Sequence, residues 1–374
     1  MLAGAATALI ALAVLGVVVM TSGVYSVAAS RGHWEITRQI LEFAMKRSIA
    51  THSWFAPRRP PLDDPDLVQL GAGHFLRGCA PCHSAPGEPK SPIVERMLPS
   101  PPRLSLTTHT WSDVELFWIV KHGIKYTGMP AWPGQARDDE VWAMVAFLRQ
   151  LPQMSVDEYR SMAEGGRDRE KAASLDLPHY DRQSALITEC ARCHGDESSP
   201  PQSRLVPQLS GQTAAYLERA LKDYANGTRQ SGTMQPQAIV LDENERAAIA
   251  AHYARARRQE HARPAASIEP IERGRRIANE GVVRDGIPPC LGCHAGRSAE
   301  SFPLLSGQPA AYLIQQLKLW RAGHRAQTAQ GAIMAPIAIR LSDRQIEDVA
   351  AYFESRNPSD DARGPGVEVS RDAR

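Results

Sequence analysis

The first part of the chain is almost purely apolar. Residues 2–30 contain no charged side chain, and Ala, Val, Leu and Ile fill most of Ala5–Met20. Because about 20 apolar residues suffice to cross a bilayer as a helix, this run predicts one N-terminal transmembrane helix within residues 1–30. The alternative is a signal peptide cleaved near Ser26-Val27-Ala28. The apolar core of a signal peptide is usually about 7–15 residues long, and this run is longer, which favours the anchor.

Residues 31–66 predict a helix followed by a linker. From Arg31 to Trp54, apolar and charged positions recur with the period of a helix, and four prolines then interrupt the chain between residues 57 and 65. Two placements of this helix remain open. Trp34 and Trp54 suit the headgroup level of a membrane, whereas the apolar side of the helix also suits packing on the domain that follows.

The remainder of the chain repeats one helical pattern three times. In each repeat a short helix precedes a Cys-x-x-Cys-His motif, which is followed by a Pro-rich loop, a helix, a Met-containing loop and a final helix. The sequence therefore predicts an all-α protein with three small domains in tandem. Residues 165–171 and 259–264 separate the domains. We name them unit one (67–152), unit two (181–258) and unit three (270–356), and we predict a disordered tail at 357–374.

Units two and three resemble each other closely. Leu209-Ser210-Gly211-Gln212 in unit two corresponds to Leu305-Ser306-Gly307-Gln308 in unit three, and an Ala-Ala-Tyr-Leu helix start follows each. Gly227 and Gly323 lie where these helices should end. Unit one is more distant, with predicted helices at Asp113–Lys121 and Asp138–Leu151.

Composition excludes some partners. With 43 basic and 41 acidic residues the formal charge is only +2, and there is no basic run, so a nucleic-acid partner is not expected. The 27 Gly and 28 Pro residues agree with short helices joined by turn-rich loops. Small domains of this kind often need a bound group to complete their cores.

The six cysteines point to that group. They form three pairs, each followed directly by a histidine: Cys79, Cys82 and His83; Cys190, Cys193 and His194; Cys290, Cys293 and His294. Two thiols three residues apart can bond to the two vinyl groups of one porphyrin, and the histidine of the same turn can bind its iron. The motifs predict three covalently bound haem c groups. A four-thiolate zinc site would leave one pair over, and disulfides would not explain the histidines.

The second iron ligand is expected beyond the central helix of each unit. The candidates are Met129, Met234 and Met334, each with a proline within two residues. A thioether in this position raises the reduction potential relative to a second imidazole, which suits an electron carrier. Three histidines are rivals for the same role: His109, His122 and His324. The carbonyls of Pro102, Pro207 and Pro303 are candidates to accept a hydrogen bond from Nδ1 of the motif histidines.

These motifs resemble those of class I cytochromes c. Units two and three are similar to the two halves of a dihaem cytochrome c4, and unit one is similar to a single-domain cytochrome c with a Gly-Met-Pro ligand loop. The resemblance implies small all-α domains, partly exposed haem edges and reversible transfer of single electrons. It also implies that the two haems of the c4-like pair lie close together.

The expected function is electron transfer rather than catalysis. The sequence suggests a trihaem cytochrome in the inner membrane, with a single span and its haem domains on the periplasmic side, where haem is attached. Its partners would be redox proteins of the membrane: a terminal oxidase, a quinol-oxidising complex or a dehydrogenase. Delivery to a terminal oxidase is the first hypothesis, and a cytochrome subunit of a periplasmic dehydrogenase complex is the alternative. A haem peroxidase needs an open iron position and fits less well.

Overall fold

The computed structural model describes residues 2–164, 182–258, 267–295 and 302–358. These residues are helical and contain no β-sheet, which confirms the all-α prediction. Helix α1 (Leu2–Ser22) holds the predicted apolar run, and none of its Gly4–Ser22 stretch is buried. Its length and composition suit a membrane span, and a signal sequence would have the same properties. A second helix, α2 (Glu35–His52), follows.

Unit one is built around two crossing helices, α3 and α8. Its helices are α3 (Pro65–Gly78), α4 (Ala80–His83), α5 (Pro92–Glu95), α6 (Leu104–Thr107), α7 (Asp113–His122), α8 (Asp138–Gln150) and α9 (Val156–Glu164). At the crossing, a Cβ on Gly71 would lie 2.3 Å from the carbonyl oxygen of Ala143, so only glycine allows this approach. The rings of Phe75, Phe147 and Tyr159 form the core beside it. Because Tyr159 belongs to α9, the packed unit extends past the predicted limit at residue 152.

Local signals place the helix ends of unit one close to their predicted positions. The side chain of Ser112 accepts a hydrogen bond from the backbone of Glu115, and Glu115 accepts one from the backbone of Ser112, which forms a capping box at the start of α7. Gly123, with φ +63°, ends the same helix. Helix α8 starts with three acidic residues, as its macrodipole favours, and ends at Gln150.

Helix α2 packs on unit one only at its C-terminal end. Ile49 is buried there, where the helix contacts α7, and the ring of His52 lies 5.9 Å from that of Trp118. Nearer its start, Ile40 and Phe43 are exposed. The interpretation that α2 packs on the following domain is thus correct for the C-terminal end of the helix. The apolar side chains of its first half are not covered by any of the described residues.

Units two and three share one plan. Unit two contains α10 (Arg182–His194), α11 (Ala214–Ala225), α12 (Met234–Ile239) and α13 (Glu243–Arg255). Unit three contains α14 (Ile268–Glu280), α15 (Leu291–His294), α16 (Ala310–Arg321), α17 (Ala329–Arg340) and α18 (Asp343–Ser355). Gly227 and Gly323 follow α11 and α16 with φ of +77° and +79°, in the left-handed conformation that the repeat predicts there.

The repeat pattern predicts a Met-containing loop in unit three, but the methionine lies in a helix instead. Met334 lies inside α17, and Met234 is the first residue of α12. Helix α17 begins where the side chain of Thr328 accepts a hydrogen bond from the backbone of Gly331. The residues that follow are mostly Ala and Ile, which allow a helix, and this helix accommodates Pro336. The prolines near the methionines are therefore poor markers of irregular structure here.

Two glutamines of the repeat join units two and three. Gln212 donates from Nε2 to the carbonyl of Leu304 (2.6 Å) and accepts from the Leu304 backbone N–H (3.0 Å). In the same way, Gln308 donates from Nε2 to the carbonyl of Gln208 (2.8 Å) and accepts from the Gln208 backbone N–H at Oε1 (3.1 Å). Gln308 corresponds to Gln212 in the repeat, and Leu304 corresponds to Gln208. The contact is therefore reciprocal, which explains why the Gly-Gln pair occurs in both units.

Unit one packs against unit two. Nη1 of Arg192, in the second Cys-x-x-Cys-His motif, donates to the carbonyls of Gly73 (2.8 Å) and Ala163 (2.9 Å). Arg77 and Glu189 form an ion pair at 2.9 Å across the same boundary. The packing is close, because a Cβ on Gly73 would lie 3.3 Å from Sγ of Cys193. The three motifs thus lie in three units that contact each other in succession.

Some expectations lie outside the described residues. The links predicted at 165–171 and 259–264 are among them, and so is the predicted tail beyond Pro358.

Candidate haem sites

Each Cys-x-x-Cys-His motif lies on a helical turn, and its histidine is held in the same way in all three units. The Nδ1 atoms of His83, His194 and His294 each lie 2.8 Å from a proline carbonyl, which belongs to Pro102, Pro207 and Pro303 respectively. Since a carbonyl can only accept, Nδ1 carries the proton and Nε2 is left with its lone pair. Burial also lowers the pKa of each ring. The result is a neutral, oriented imidazole, as an iron ligand requires.

The cysteines are free thiols. Burial raises the pKa of Cys79, Cys190 and Cys290 to about 12, so these three are protonated at neutral pH. Within the described parts of the chain, no three His, Cys, Asp or Glu side chains converge as a bare metal ion would require. The pairs are arranged for separate bonds to a larger group.

One continuous cavity runs through units two and three. The space open to the centres of water-sized molecules is about 330 Å³. It is lined by the candidate ligands of both units: Cys190, Cys193, His194, Met234, Cys290, Cys293, His294 and Met334. Helix α3 of unit one closes part of its wall through Gly73 and His74. The c4-like resemblance implies two neighbouring haems, and the cavity brings both sets of candidate ligands together.

The candidate ligands of unit one do not line this cavity. Met129 is half-buried in an irregular segment, where its backbone N–H donates to Oγ1 of Thr127 (3.1 Å) and its carbonyl accepts from the N–H of Ile124 (3.2 Å). The three rival histidines are exposed and do not line the cavity either: His109, His122 and His324. Met144, one of the other methionines, is fully buried in the core of unit one.

Comparison with known proteins agrees with this arrangement. Residues 66–148 match the family model described as cytochrome c oxidase, cbb3-type, subunit III. The thiosulfate dehydrogenase electron acceptor of Stutzerimonas stutzeri (strain A1501) is 36% identical over 174 residues, which cover 44% of this chain and 77% of that protein. Cytochrome c4 of Pseudomonas aeruginosa is 31% identical over 174 residues, covering 46% of this chain and 85% of that protein. This chain is a c-type cytochrome of the cytochrome c4 family.

A structure of cytochrome c4 from Acidithiobacillus ferrooxidans also matches, with 32% identity and a TM-score of 0.39, over 44% of this chain and 98% of that one. Membership of the cytochrome c family implies covalently bound haem c and a role in electron transfer.

Two arginines of the cavity wall, Arg229 buried and Arg325 partly buried, test whether the cavity of this cytochrome fits such a group. Arg229 is 7% exposed and lies 4.5 Å from the ring of Tyr224, and Arg325 lies 3.9 Å from the ring of Trp320. Among the described residues, neither has a carboxylate partner. Buried charges are normally paired. The two haem propionates of each porphyrin are the anions that this part of the cavity lacks, so the residues present fit haem.

The positive charges of Arg229 and Arg325 shift the pKa values of nearby groups. Burial alone raises the pKa of Tyr216, but Arg229 and Arg325 outweigh it and hold that pKa below its usual value. Burial and the proximity of Arg229 lower the pKa of Arg325. An anion between the two guanidinium groups would relieve both effects.

Replacement of these arginines should lower the reduction potentials of the c4-like pair, because a positive charge stabilises the added electron. For a charge about 10 Å from the iron and an effective dielectric constant near 20, the Arg229→Gln or Arg325→Gln change should be roughly 50–100 mV. Redox titration of the full chain measures it. Arg344, with its side chain 70% exposed, supplies the control Arg344→Gln. Equal potentials in all three variants would contradict the assignment of the arginines to the haem propionates.

Sequence reasoning missed these arginines and one histidine. Arg229 and Arg325 are 96 residues apart, as are Tyr216 and Tyr312, so the repeat itself contains the signal. His74 has no such counterpart. Its ring lies 4.4 Å from that of Trp132 at the cavity wall, and burial, assisted by Arg192, lowers its pKa to about 4. It is therefore a neutral imidazole at the boundary between units one and two.

Proposed function

We propose that this cytochrome is a membrane-anchored relay of three haem c groups, which passes single electrons along its three units. The observation that carries the proposal is the continuity of the candidate sites. Units two and three share one cavity, and helix α3 of unit one forms part of its wall. Cys193 of unit two lies directly against Gly73 of unit one. An electron can therefore move between neighbouring sites through packed protein.

The proposed ligands are one histidine and one methionine per unit: His83 with Met129, His194 with Met234, and His294 with Met334. When bound, each haem supplies reversible uptake of one electron. The protein bonds the haem through two cysteines, orients the histidine through a proline carbonyl and excludes water from the buried face. With a methionine available in every unit, the sites are suited to electron transfer without a substrate at the iron.

We propose a terminal oxidase as the electron acceptor. In support, unit one matches a family model named for an oxidase subunit. Unit one is the first of the three units after the N-terminal helix, joined to it through α2 and the proline-rich linker, and this tether would hold it near a membrane partner. Tethering of this kind raises the effective concentration of the partner.

A periplasmic dehydrogenase is the second candidate partner, and it would supply electrons rather than take them. Two relatives, from Stutzerimonas stutzeri and Thiomonas intermedia, are named thiosulfate dehydrogenase electron acceptors. Their matches span about the length of two units. The two proposals are compatible, because electrons could enter through the c4-like pair and leave through unit one.

Rapid mixing tests both partners. The reduced full-length protein should be reoxidised by membranes that contain a terminal oxidase, and cyanide should block this. The oxidised protein should be reduced by thiosulfate dehydrogenase only when thiosulfate is present. Reoxidation without reduction would support the oxidase role alone, and the reverse would support the dehydrogenase role alone. If neither occurs, both partner proposals are wrong.

Helix α1 is proposed as an uncleaved anchor, with the haem units on the periplasmic side. Replacing residues 1–30 by a cleavable signal peptide should move the protein from the membrane fraction to the soluble periplasmic fraction, while haem content stays the same. Cell fractionation and N-terminal sequencing measure this. A native protein that is soluble and begins just after Ala28 would show that the segment is a signal peptide.

A further inference from the structure

The segment that precedes Met234 is held by unit one. The backbone N–H of Ala136 donates to Oε1 of Gln230 (3.1 Å), and Nη1 of Arg137 donates to the Gln230 carbonyl (3.2 Å). Two residues further on, the N–H of Gly232 donates to Oε2 of Glu140 (2.6 Å). Residues at the start of α8 thus bind the backbone leading to a proposed iron ligand of another unit.

Glu140 is the centre of this contact. It is 5% exposed, and each of its oxygens has two partners. Oε1 accepts from Oγ of Ser231 (2.6 Å) and pairs with Nη1 of Arg137 (2.8 Å). Oε2 accepts from Gly232 and from Nε1 of Trp132 (3.3 Å). Burial raises the pKa of Glu140, while Arg137 and the hydrogen bonds from Ser231 and Gly232 act in the opposite direction. Because all four neighbours are donors, the geometry describes an ionised carboxylate, which only accepts.

Ser231 transmits this contact to Met234. Its Oγ accepts hydrogen bonds from the backbone N–H groups of Met234 (3.0 Å) and Thr233 (3.3 Å). A serine hydroxyl has one hydrogen, and here it is directed at Glu140, which leaves the lone pairs of the oxygen for the two N–H groups. Glu140 is therefore two hydrogen bonds from the backbone of the proposed ligand.

The segments around Trp132 and Gly232 also fit closely against each other. A Cβ on Gly232 would lie 2.0 Å from Nε1 of Trp132, and a Cβ on Gly134 would lie 2.8 Å from the Gly232 nitrogen. Trp132 comes three residues after Met129, and Gly232 comes two residues before Met234. The interface thus joins the two segments that carry the proposed methionine ligands of units one and two.

We propose that Glu140 is a positioning residue for Met234, so that unit one sets the geometry and the reduction potential of the haem in unit two. This rests on the proposed ligand pair His194 and Met234. The carboxylate fixes Ser231, Ser231 fixes the backbone of Met234, and the buried negative charge disfavours the added electron. The first unit is then part of the second redox site and not only its neighbour in the chain.

The test is Glu140→Gln in the full-length holoprotein. An amide has one accepting oxygen and a donating NH₂ group, so it cannot serve all four donors. We expect the reduction equilibrium of one of the three haems to shift at least tenfold, or 59 mV for one electron, because both the buried charge and the hold on Met234 change at that haem. The Met-to-iron absorption band of that haem should weaken. The haem affected should be the one that loses its band in Met234→Ala.

Asp139→Asn is the matched control. Asp139 is the adjacent acid on α8; it pairs with Arg137 (2.7 Å) and accepts from Gln315 (2.6 Å), and none of its hydrogen bonds or ion pairs reaches residues 230–234. Its effect should be less than a third of that of Glu140→Gln. Equal shifts in the two variants, or a shift spread evenly over three haems, would show a general charge effect and overturn the proposal. Unchanged potentials and an unchanged band in Glu140→Gln would do the same.

Ser231→Ala gives an independent result if Glu140→Gln does not accumulate with its haems. It removes the bond to Met234 without changing any charge, so it should weaken the same band, and an intact band would refute the positioning role. The underlying ligand proposal fails separately, because a band that persists in Met234→Ala would show that Met234 is not the ligand at all.

Discussion

Met234→Ala should remove roughly one third of the Met-to-iron absorption band in the far red, because one of three proposed iron–sulfur bonds is lost. The potential of that haem should fall by on the order of 0.2 V, since axial ligands set haem potentials over a range of about 0.8 V. Met129→Ala and Met334→Ala should each have a comparable effect. Visible absorption and redox titration of the purified chain measure both quantities.

Met144→Leu is the control for these variants. Met144 is fully buried in the core of unit one and is not a proposed ligand, so the band should not change. A variant among the first three that keeps the full band would show that its methionine is not a ligand. If the band resists all three changes, the whole axial scheme is wrong.

The Cys79→Ala, Cys82→Ala double variant should carry two haems instead of three. The cysteines of unit one are its proposed covalent attachment points, and Cys79 also packs against the core around Phe75 and Phe147. We therefore expect unit one to lose stability as well as its haem, while units two and three keep theirs. Haem assay per chain and thermal unfolding measure the two effects.

The equivalent changes in units two and three serve as internal comparisons. Each double replacement should remove one haem per chain. A variant that combines two of these double replacements should therefore lose two haems. A unit-one variant that retains three haems would contradict the assignment of Cys79 and Cys82.

Features that depend on nearby residues could be predicted from the sequence. The limits of α7 follow from Ser112, Glu115 and Gly123, and the proline carbonyls that orient the motif histidines lie only 9 to 19 residues from them. The structure agrees with both expectations.

Features that depend on contacts between units could not be predicted. Glu140 lies 91 residues before Ser231, and nothing in its own surroundings indicates that partner. Helix α9 was missed because its stability depends on Tyr159 packing against α3. The placement of Met334 in a loop was wrong because the residues around it form one helix, α17, which includes Pro336. The repeat spacing of the arginine pair and of Gln212 and Gln308 was a usable signal for contacts between units two and three.

The proposal as a whole depends on three porphyrins being bonded to this chain. Intact mass spectrometry of the mature protein tests this most directly, because thioether bonds survive denaturation. The account predicts the mass of the polypeptide plus three haem groups. A mature chain whose mass includes no haem would contradict it.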